Sequence, residues 1–168
     1  MTFQIVKKML IAAALLGGSW SSVQAQPVLP MSEFVDQFEQ PQTLNEKTTL
    51  VIFSADKEPG RWVKESLTQL NITDLNAINW LYVADVSAMP SFITNMMAIP
   101  KMKDFPFAIA LDKSGDVTRD WPRKADQVSV YKMNKLDVAE MLYFDSAEAL
   151  LVFLTDFKAK SSTPVAVN

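Results

Sequence analysis

The chain has 168 residues, enough for one domain with an apolar core, and 49% of them are hydrophobic. It has no cysteine and no histidine, which excludes disulfides, thiolate nucleophiles, iron–sulfur ligation, and Ser-His-Asp or Cys-His catalysis. Sixteen basic against 19 acidic residues give a net charge of −3, so we expect no basic face for nucleic acid.

Residues 1–25 have the pattern of a secretory signal peptide. Lys7 and Lys8 give a positive start, and the apolar run Met9–Gly17 is too short to span a bilayer as a helix. Small residues before Gln26 predict cleavage after Ala25. We therefore expect export to a Gram-negative periplasm, with membrane contact only through the signal peptide before cleavage. An uncleaved membrane anchor is the alternative.

The first part of the expected domain centres on one buried strand. The segment 31–40 suits either a helical face or a short strand, and Pro41 ends it. The central strand, 48–54, contains the apolar run Leu50–Phe53. A polar turn follows, and the spacing of apolar residues then predicts a helix over 59–71.

The middle of the chain predicts alternating strands and a helix. A second strand covers 80–86, and a helix with a broad apolar stripe covers 89–99 until Pro100 stops it. A third strand, 107–111, and a fourth, 117–121, are predicted to form a hairpin around Gly115.

The C-terminal part predicts a second hairpin and a last helix. Strands 128–133 and 138–144 turn through Asn134–Asp137, and Asp145 can cap the helix with Glu148 at capping-box distance. Residues 161–168 are predicted to be a flexible tail. The order of elements predicts a single α/β domain, 26–160, with a mixed sheet and helices on both faces.

Three stretches carry a resemblance to a known family. Residues 50–62 look like a first core strand, an active-site turn and the helix after it. Residues 104–107, followed by a strand and Lys113–Val117, are similar to a cis-proline loop and β-hairpin. Residues 36–44 look like the start of peroxiredoxin-type and membrane-linked thiol reductases, with Glu39 where glycine is usual. From Met31 to Phe157 the chain thus resembles the thioredoxin-like superfamily.

The resemblance implies a thioredoxin-like mixed β-sheet flanked by helices. We interpret residues 127–144 as an extra C-terminal β-hairpin. A competing alignment makes this hairpin the family's own and treats residues 107–121 as inserted. The resemblance also implies that Pro106 is the cis-proline that shapes the loop beside the turn, and an ordinary trans proline before a strand is the alternative.

The resemblance further implies which activity is lost. Redox-active members exchange disulfides through a C-x-x-C pair at the helix start, and the equivalent residues here are Glu58-Pro59-Gly60-Arg61. We therefore expect neither thiol oxidoreductase nor peroxidase activity and name no catalytic residue. The hypothesis is a binding or assembly module for an unknown periplasmic protein or peptide, with Glu58, Arg61, Trp62 and Pro106 as its candidate surface. The alternative is that Glu58 is only a favourable charge at a helix start, paired with Arg61.

Two other functions stay open, although we expect no cofactor and no metal. The carboxylates of Asp56, Asp85 and Asp112, or a bound cofactor, could support an enzyme at the Ser54–Arg61 turn. Thioethers can bind Cu(I), and four methionines cluster in sequence: Met89, Met96, Met97 and Met102.

Overall fold

The computed structural model describes residues 27–161. The predicted signal peptide and all but the first residue of the predicted tail lie outside this range. The strands are β1 (Ser32–Val35), β2 (Pro41–Leu44), β3 (Leu50–Ser54), β4 (Trp80–Asp85), β5 (Ala110–Asp112), β6 (Val128–Asn134) and β7 (Asp137–Phe144). The α-helices are α1 (Lys57–Gln69), α2 (Ser91–Ile93), α3 (Ile99–Met102) and α4 (Ala147–Ser161), with a 3₁₀ turn at Asn76–Ile78.

The seven strands form one mixed sheet in the order β2-β1-β5-β4-β3-β6-β7. β3 pairs in parallel with β4, and β4 with β5, while the remaining pairs are antiparallel. Every residue of β3 is buried, as a continuous apolar run predicts for a central strand. The mixed sheet flanked by helices confirms the predicted fold class.

The two faces of the sheet have separate apolar layers. Leu50 and Ile52 point to the layer that includes α1 and α4, and the α2–α3 region packs against the same layer. Val51 and Phe53 point to the other layer, which loops and the N-terminal segment cover. The prediction of helices on both faces is therefore wrong. From β3 to β4 to β5 the chain steps in one direction, and right-handed crossovers then place both connections on one face.

The C-terminal hairpin is confirmed. β6 pairs with β7 throughout its length and also pairs with β3, so the hairpin extends the central sheet. The predicted hairpin before it does not form. The strand at 107–111 is reduced to β5, and residues 117–121 are not a strand. The carboxylate of Asp112 accepts the backbone N–H groups of Gly115 and Thr118, each at 2.8 Å, and this curls the chain away from an extended return.

The helix predicted at 89–99 continues past Pro100. α2 runs through a π-helical stretch, Thr94–Ala98, directly into α3. Pro100 has no N–H and its ring would clash with a carbonyl of the preceding turn. The wider π turn, in which the Ile99 N–H donates to the Thr94 carbonyl, accommodates the proline.

The N-terminal segment is held along the hairpin. The Val138 N–H donates to the Pro27 carbonyl at 2.9 Å, and the Leu29 N–H donates to the Leu136 carbonyl at 3.0 Å. Leu29 is buried, so this segment closes one edge of the second apolar layer. Within residues 27–161, no helix is both long and apolar enough to cross a bilayer.

Candidate functional site

The turn between β3 and α1 is tied to the loop that precedes β6. Asp56 occupies the N-cap position of α1 in an extended conformation, but its side chain makes no capping hydrogen bond. Its Oδ2 atom instead accepts the backbone N–H of Asp126 at 3.0 Å. Asp126 adopts a left-handed conformation, with φ of 56°. The turn and the loop therefore form one continuous surface at the start of α1.

Sequence reasoning missed Asp126 as a neighbour of the turn. It lies two residues before β6, which pairs directly with β3. The competing alignment, which treats residues 127–144 as the family's own hairpin, could have indicated this contact. A hairpin that adjoins β3 brings the residues before its first strand close to the turn after β3.

Glu58 and Arg61 lie together on the exposed face of α1. Arg61 Nε donates to Glu58 Oε2 at 3.1 Å, and Arg61 Nη1 lies 3.5 Å from Glu65 Oε1. The hydrogen bond from Arg61 to Glu58, followed by the charges of both glutamates, raises the pKa of Arg61. Glu58 also lies in the first turn, where the helix dipole favours a negative charge. Exposed pairs of this kind add little stability.

The other two residues of the candidate surface lie on either side of this exposed face. Trp62 is half-buried and packs against the helix-side layer. Pro106 is exposed, and its neighbour Phe105 lies 4.5 Å beneath the Lys64 ammonium group. The side chains of Lys64 and Trp62 point to nearly opposite sides of α1, because residues two apart are separated by about 200° around a helix of 3.6 residues per turn. The described contacts thus group Glu58 and Arg61, with Trp62 on one flank and Pro106 beyond the other.

The expectation of a cis peptide bond at Pro106 is wrong. Every described peptide bond is trans. Proline bonds prefer trans by about 0.5–1 kcal/mol, and Pro106 is exposed.

A buried pair of hydroxyl groups supports the turn from below. Ser54 Oγ and Tyr82 Oη lie 2.9 Å apart, and a Cβ added at Gly60 would lie 3.5 Å from Tyr82 Oη. Burial raises the pKa of Tyr82 to about 12, and the hydrogen bond with Ser54 opposes this shift. The phenol therefore stays protonated at neutral pH and serves as a hydrogen-bonding support.

The carboxylates at the ends of β4 and β5 lie next to each other, but both already have hydrogen-bond partners. Asp85 and Asp112 are in register on β4 and β5. Asp85 Oδ2 lies 2.9 Å from Arg123 Nη1, and Thr118 Oγ1 donates to Asp112 Oδ2 at 2.9 Å. Burial raises the pKa of Asp85, but hydrogen bonds from Ser87 and Arg123 outweigh it, so the net shift is downward. An ionised, hydrogen-bonded carboxylate is a poor general acid or base near pH 7.

The four clustered methionines have two different environments. Met89 and Met102 pack against the helix-side layer, whereas Met96 and Met97 are exposed. Among residues 27–161, no three acidic side chains lie close enough to hold a metal ion.

Comparisons with known proteins support the fold. No protein-family model matches the chain, and no curated protein matches it. Among solved structures, the chain is similar to a protein assigned as the thiol:disulfide interchange protein DsbE from Chlorobium tepidum, with a TM-score of 0.55 and 17% identity. The match covers 82% of this chain and 99% of that one.

Two further solved structures agree. A thio-disulfide isomerase from Thermus thermophilus has a TM-score of 0.54 and 16% identity, covering 85% of this chain and 100% of that one. Peroxidoxin BcpB from Mycobacterium tuberculosis has a TM-score of 0.53 and 12% identity, covering 80% and 96%. These matches and the architecture of the sheet lead to one conclusion: the chain has the thioredoxin-like fold, and it has that fold without any cysteine.

Proposed function

We propose that this chain is an exported, periplasmic thioredoxin-like protein without thiol redox activity that acts as a binding or assembly module. One observation carries the proposal. The helix start that holds C-x-x-C in redox-active members here presents Glu58 and Arg61, exposed and hydrogen-bonded to each other. Thiol exchange needs a thiolate, and the chain has none.

The proposed binding surface is centred on the first two turns of α1. Glu58 and Arg61 supply exposed charges, the edge of Trp62 supplies an aromatic contact, and Pro106 lies beyond the opposite flank. Aromatic and arginine side chains are the residue types that most often anchor interfaces. The backbone beneath them is fixed by the Asp56–Asp126 and Ser54–Tyr82 hydrogen bonds, so the partner meets a prearranged surface. We propose a periplasmic protein or peptide as that partner.

A pulldown from periplasmic extract with mass spectrometry tests this proposal. The bait is the chain from Gln26 onward, whose residues 27–161 contain the described fold. We expect Trp62→Ala and the charge reversal Arg61→Glu to reduce recovery of a specific partner at least fivefold. Val152→Ala is the matched control, because Val152 is exposed on α4. Equal recovery of every partner by all four proteins would reject a surface centred on the turn.

The two alternative functions have less support from the geometry. An enzyme at the Ser54–Arg61 turn would depend on carboxylates that are paired with arginine: Glu58 with Arg61, and Asp85 with Arg123. Copper handling would need methionines that converge, but Met89 and Met102 are in the core layer while Met96 and Met97 face solvent.

A further inference from the structure

The helical segment from Ser91 to Met102 presents an apolar face that nothing in the described fold covers. Phe92 is 65% exposed and Met96 is 64% exposed, with Met97 at 50% and Ile93 at 36%. These positions follow helical spacing, so their side chains form one surface. A face of this kind is comparable to the largest apolar patch on a typical monomer, and such patches are often functional.

Lysines lie near both ends of this segment. The sequence from Val86 to Lys103 contains no acidic residue, and Lys101 and Lys103 are exposed at its end. Lys113 lines a cleft of about 320 Å³ at the other end, together with Pro90 and Ser91. No ion pair in the described part of the chain involves any of these lysines. Asp104 is the acidic residue next in sequence.

We propose that this face docks onto an anionic lipid surface. An amphipathic helical segment with an aromatic and aliphatic centre and lysines at its margin suits the boundary between headgroups and acyl chains. The lysines supply attraction to anionic headgroups. In a chain with an overall charge of −3, these lysines give the margin of this face a local positive charge.

A lipid surface fits the observations better than a protein partner. The four side chains project from one helical segment and are convex, whereas peptides are usually recognised in a groove or along an open strand edge. Side chains of this size and exposure offer on the order of 400 Å². A stable interface between two copies buries about 800 Å² on each. The area is thus small for a dimer and sufficient for a shallow membrane contact.

Vesicle sedimentation tests the inference with the chain from Gln26 onward. The probes are vesicles of phosphatidylethanolamine with 30% phosphatidylglycerol, and vesicles of phosphatidylcholine alone. We expect binding to the anionic vesicles that is at least tenfold stronger than to the neutral ones and that weakens as salt is raised. Phe92→Ser with Met96→Ser should reduce binding to anionic vesicles at least tenfold. Lys101→Ala with Lys103→Ala should reduce both binding and its salt dependence.

Val152→Ser is the matched control, since Val152 is also 64% exposed but lies on α4; it should bind as the unaltered chain does. Absence of binding to anionic vesicles, or equal binding by the Phe92/Met96 variant, would overturn the inference. So would a dimer in light scattering that Phe92→Ser dissociates, because the face would then belong to a second copy. Capture of an acidic protein through this face without vesicle binding would also overturn it. Trp62→Ala should leave vesicle binding unchanged, which separates this test from the proposed function.

Discussion

At the scale of single residues, Glu58 and Arg61 occupy the helix start that holds C-x-x-C in redox-active members of the fold. Glu58 and Arg61 were predictable as neighbours, because positions three apart on a helix share a face. Their hydrogen bond confirms that placement. Asp126 could not be assigned to the turn from local pattern. Its approach to Asp56 depends on the pairing of β6 with β3, which is a long-range feature.

A pH prediction follows from the buried phenol of Tyr82. Its pKa of about 12 in the folded chain exceeds the value of about 10 in an unfolded chain. The folded state therefore holds this proton more tightly, so the stabilisation is complete below pH 10 and is lost as pH rises from about 10 to 12. We expect Tyr82→Phe to show a shallower decline in the free energy of unfolding across that range, measured by urea denaturation.

The same variant should lose about 1 kcal/mol at pH 8, because Ser54 loses its hydrogen-bond partner. Tyr131 is also buried, with a raised pKa. It therefore still contributes to the fall in the free energy of unfolding at alkaline pH in the Tyr82→Phe variant. Ser54→Ala serves as the companion variant in a double-mutant cycle. Equal slopes of the free energy of unfolding against pH, between pH 10 and 12, for the unaltered chain and Tyr82→Phe would contradict the raised pKa of Tyr82.

At the scale of elements, the sequence predicted the strands and helices that have a regular apolar pattern. It did not predict the turn that depends on side-chain hydrogen bonds. β3, β4, α1, α4 and the last hairpin follow from apolar runs and helical spacing. The segment 117–121 was predicted as the return strand of a hairpin around Gly115, yet Asp112 accepts the N–H groups of Gly115 and Thr118 and bends the chain. A carboxylate acting over six residues leaves no periodic signal in the sequence.

The irregular segment 117–121 is held in place by Trp121. Its indole is buried among three aromatic rings: Phe34, Phe53 and Tyr131. Removing a buried aromatic side chain costs about 3–5 kcal/mol through lost burial and a cavity. We expect Trp121→Ala to lower the free energy of unfolding by that amount in urea denaturation.

Phe92→Ala is the control for this prediction, because Phe92 is an exposed aromatic residue and its truncation should change stability by less than about 0.5 kcal/mol. Similar losses for the two variants would mean that Trp121 does not anchor the segment.

At the scale of the whole molecule, the chain has the thioredoxin-like fold without any cysteine. The resemblance in the sequence identified the fold, whereas the order of the predicted elements wrongly placed helices on both faces of the sheet. Strand order decides that arrangement, and order is fixed by which strands pair rather than by any single element.

Introducing two cysteines tests whether the helix start favours thiol chemistry. In Glu58→Cys/Arg61→Cys, one thiol lies in the first turn of α1 and the other at the start of the second, near the helix N-terminus where the dipole stabilises a thiolate. We expect an intramolecular disulfide under mild oxidation and, after reduction, at least one thiol with a pKa below 8, measured from the pH dependence of alkylation.

The control is Asp156→Cys/Lys160→Cys, which replaces a contacting pair in the second half of α4 with thiols far from a helix N-terminus. These thiols should alkylate with a pKa near 8.5. Matching pKa values for the two double variants would show that residues 58–61 do not retain the electrostatics of a redox turn.

If the chain is exported as we propose, the hydrogen bond between the Val138 N–H and the Pro27 carbonyl bears on the order of processing and folding. With cleavage after Ala25 as proposed, a single residue, Gln26, separates the scissile bond from backbone already held against the hairpin. A peptidase needs extended, accessible chain on both sides of the bond that it cuts. On that proposal, processing precedes the docking of this segment, and a delay in processing would postpone the closing of the second apolar layer around Leu29.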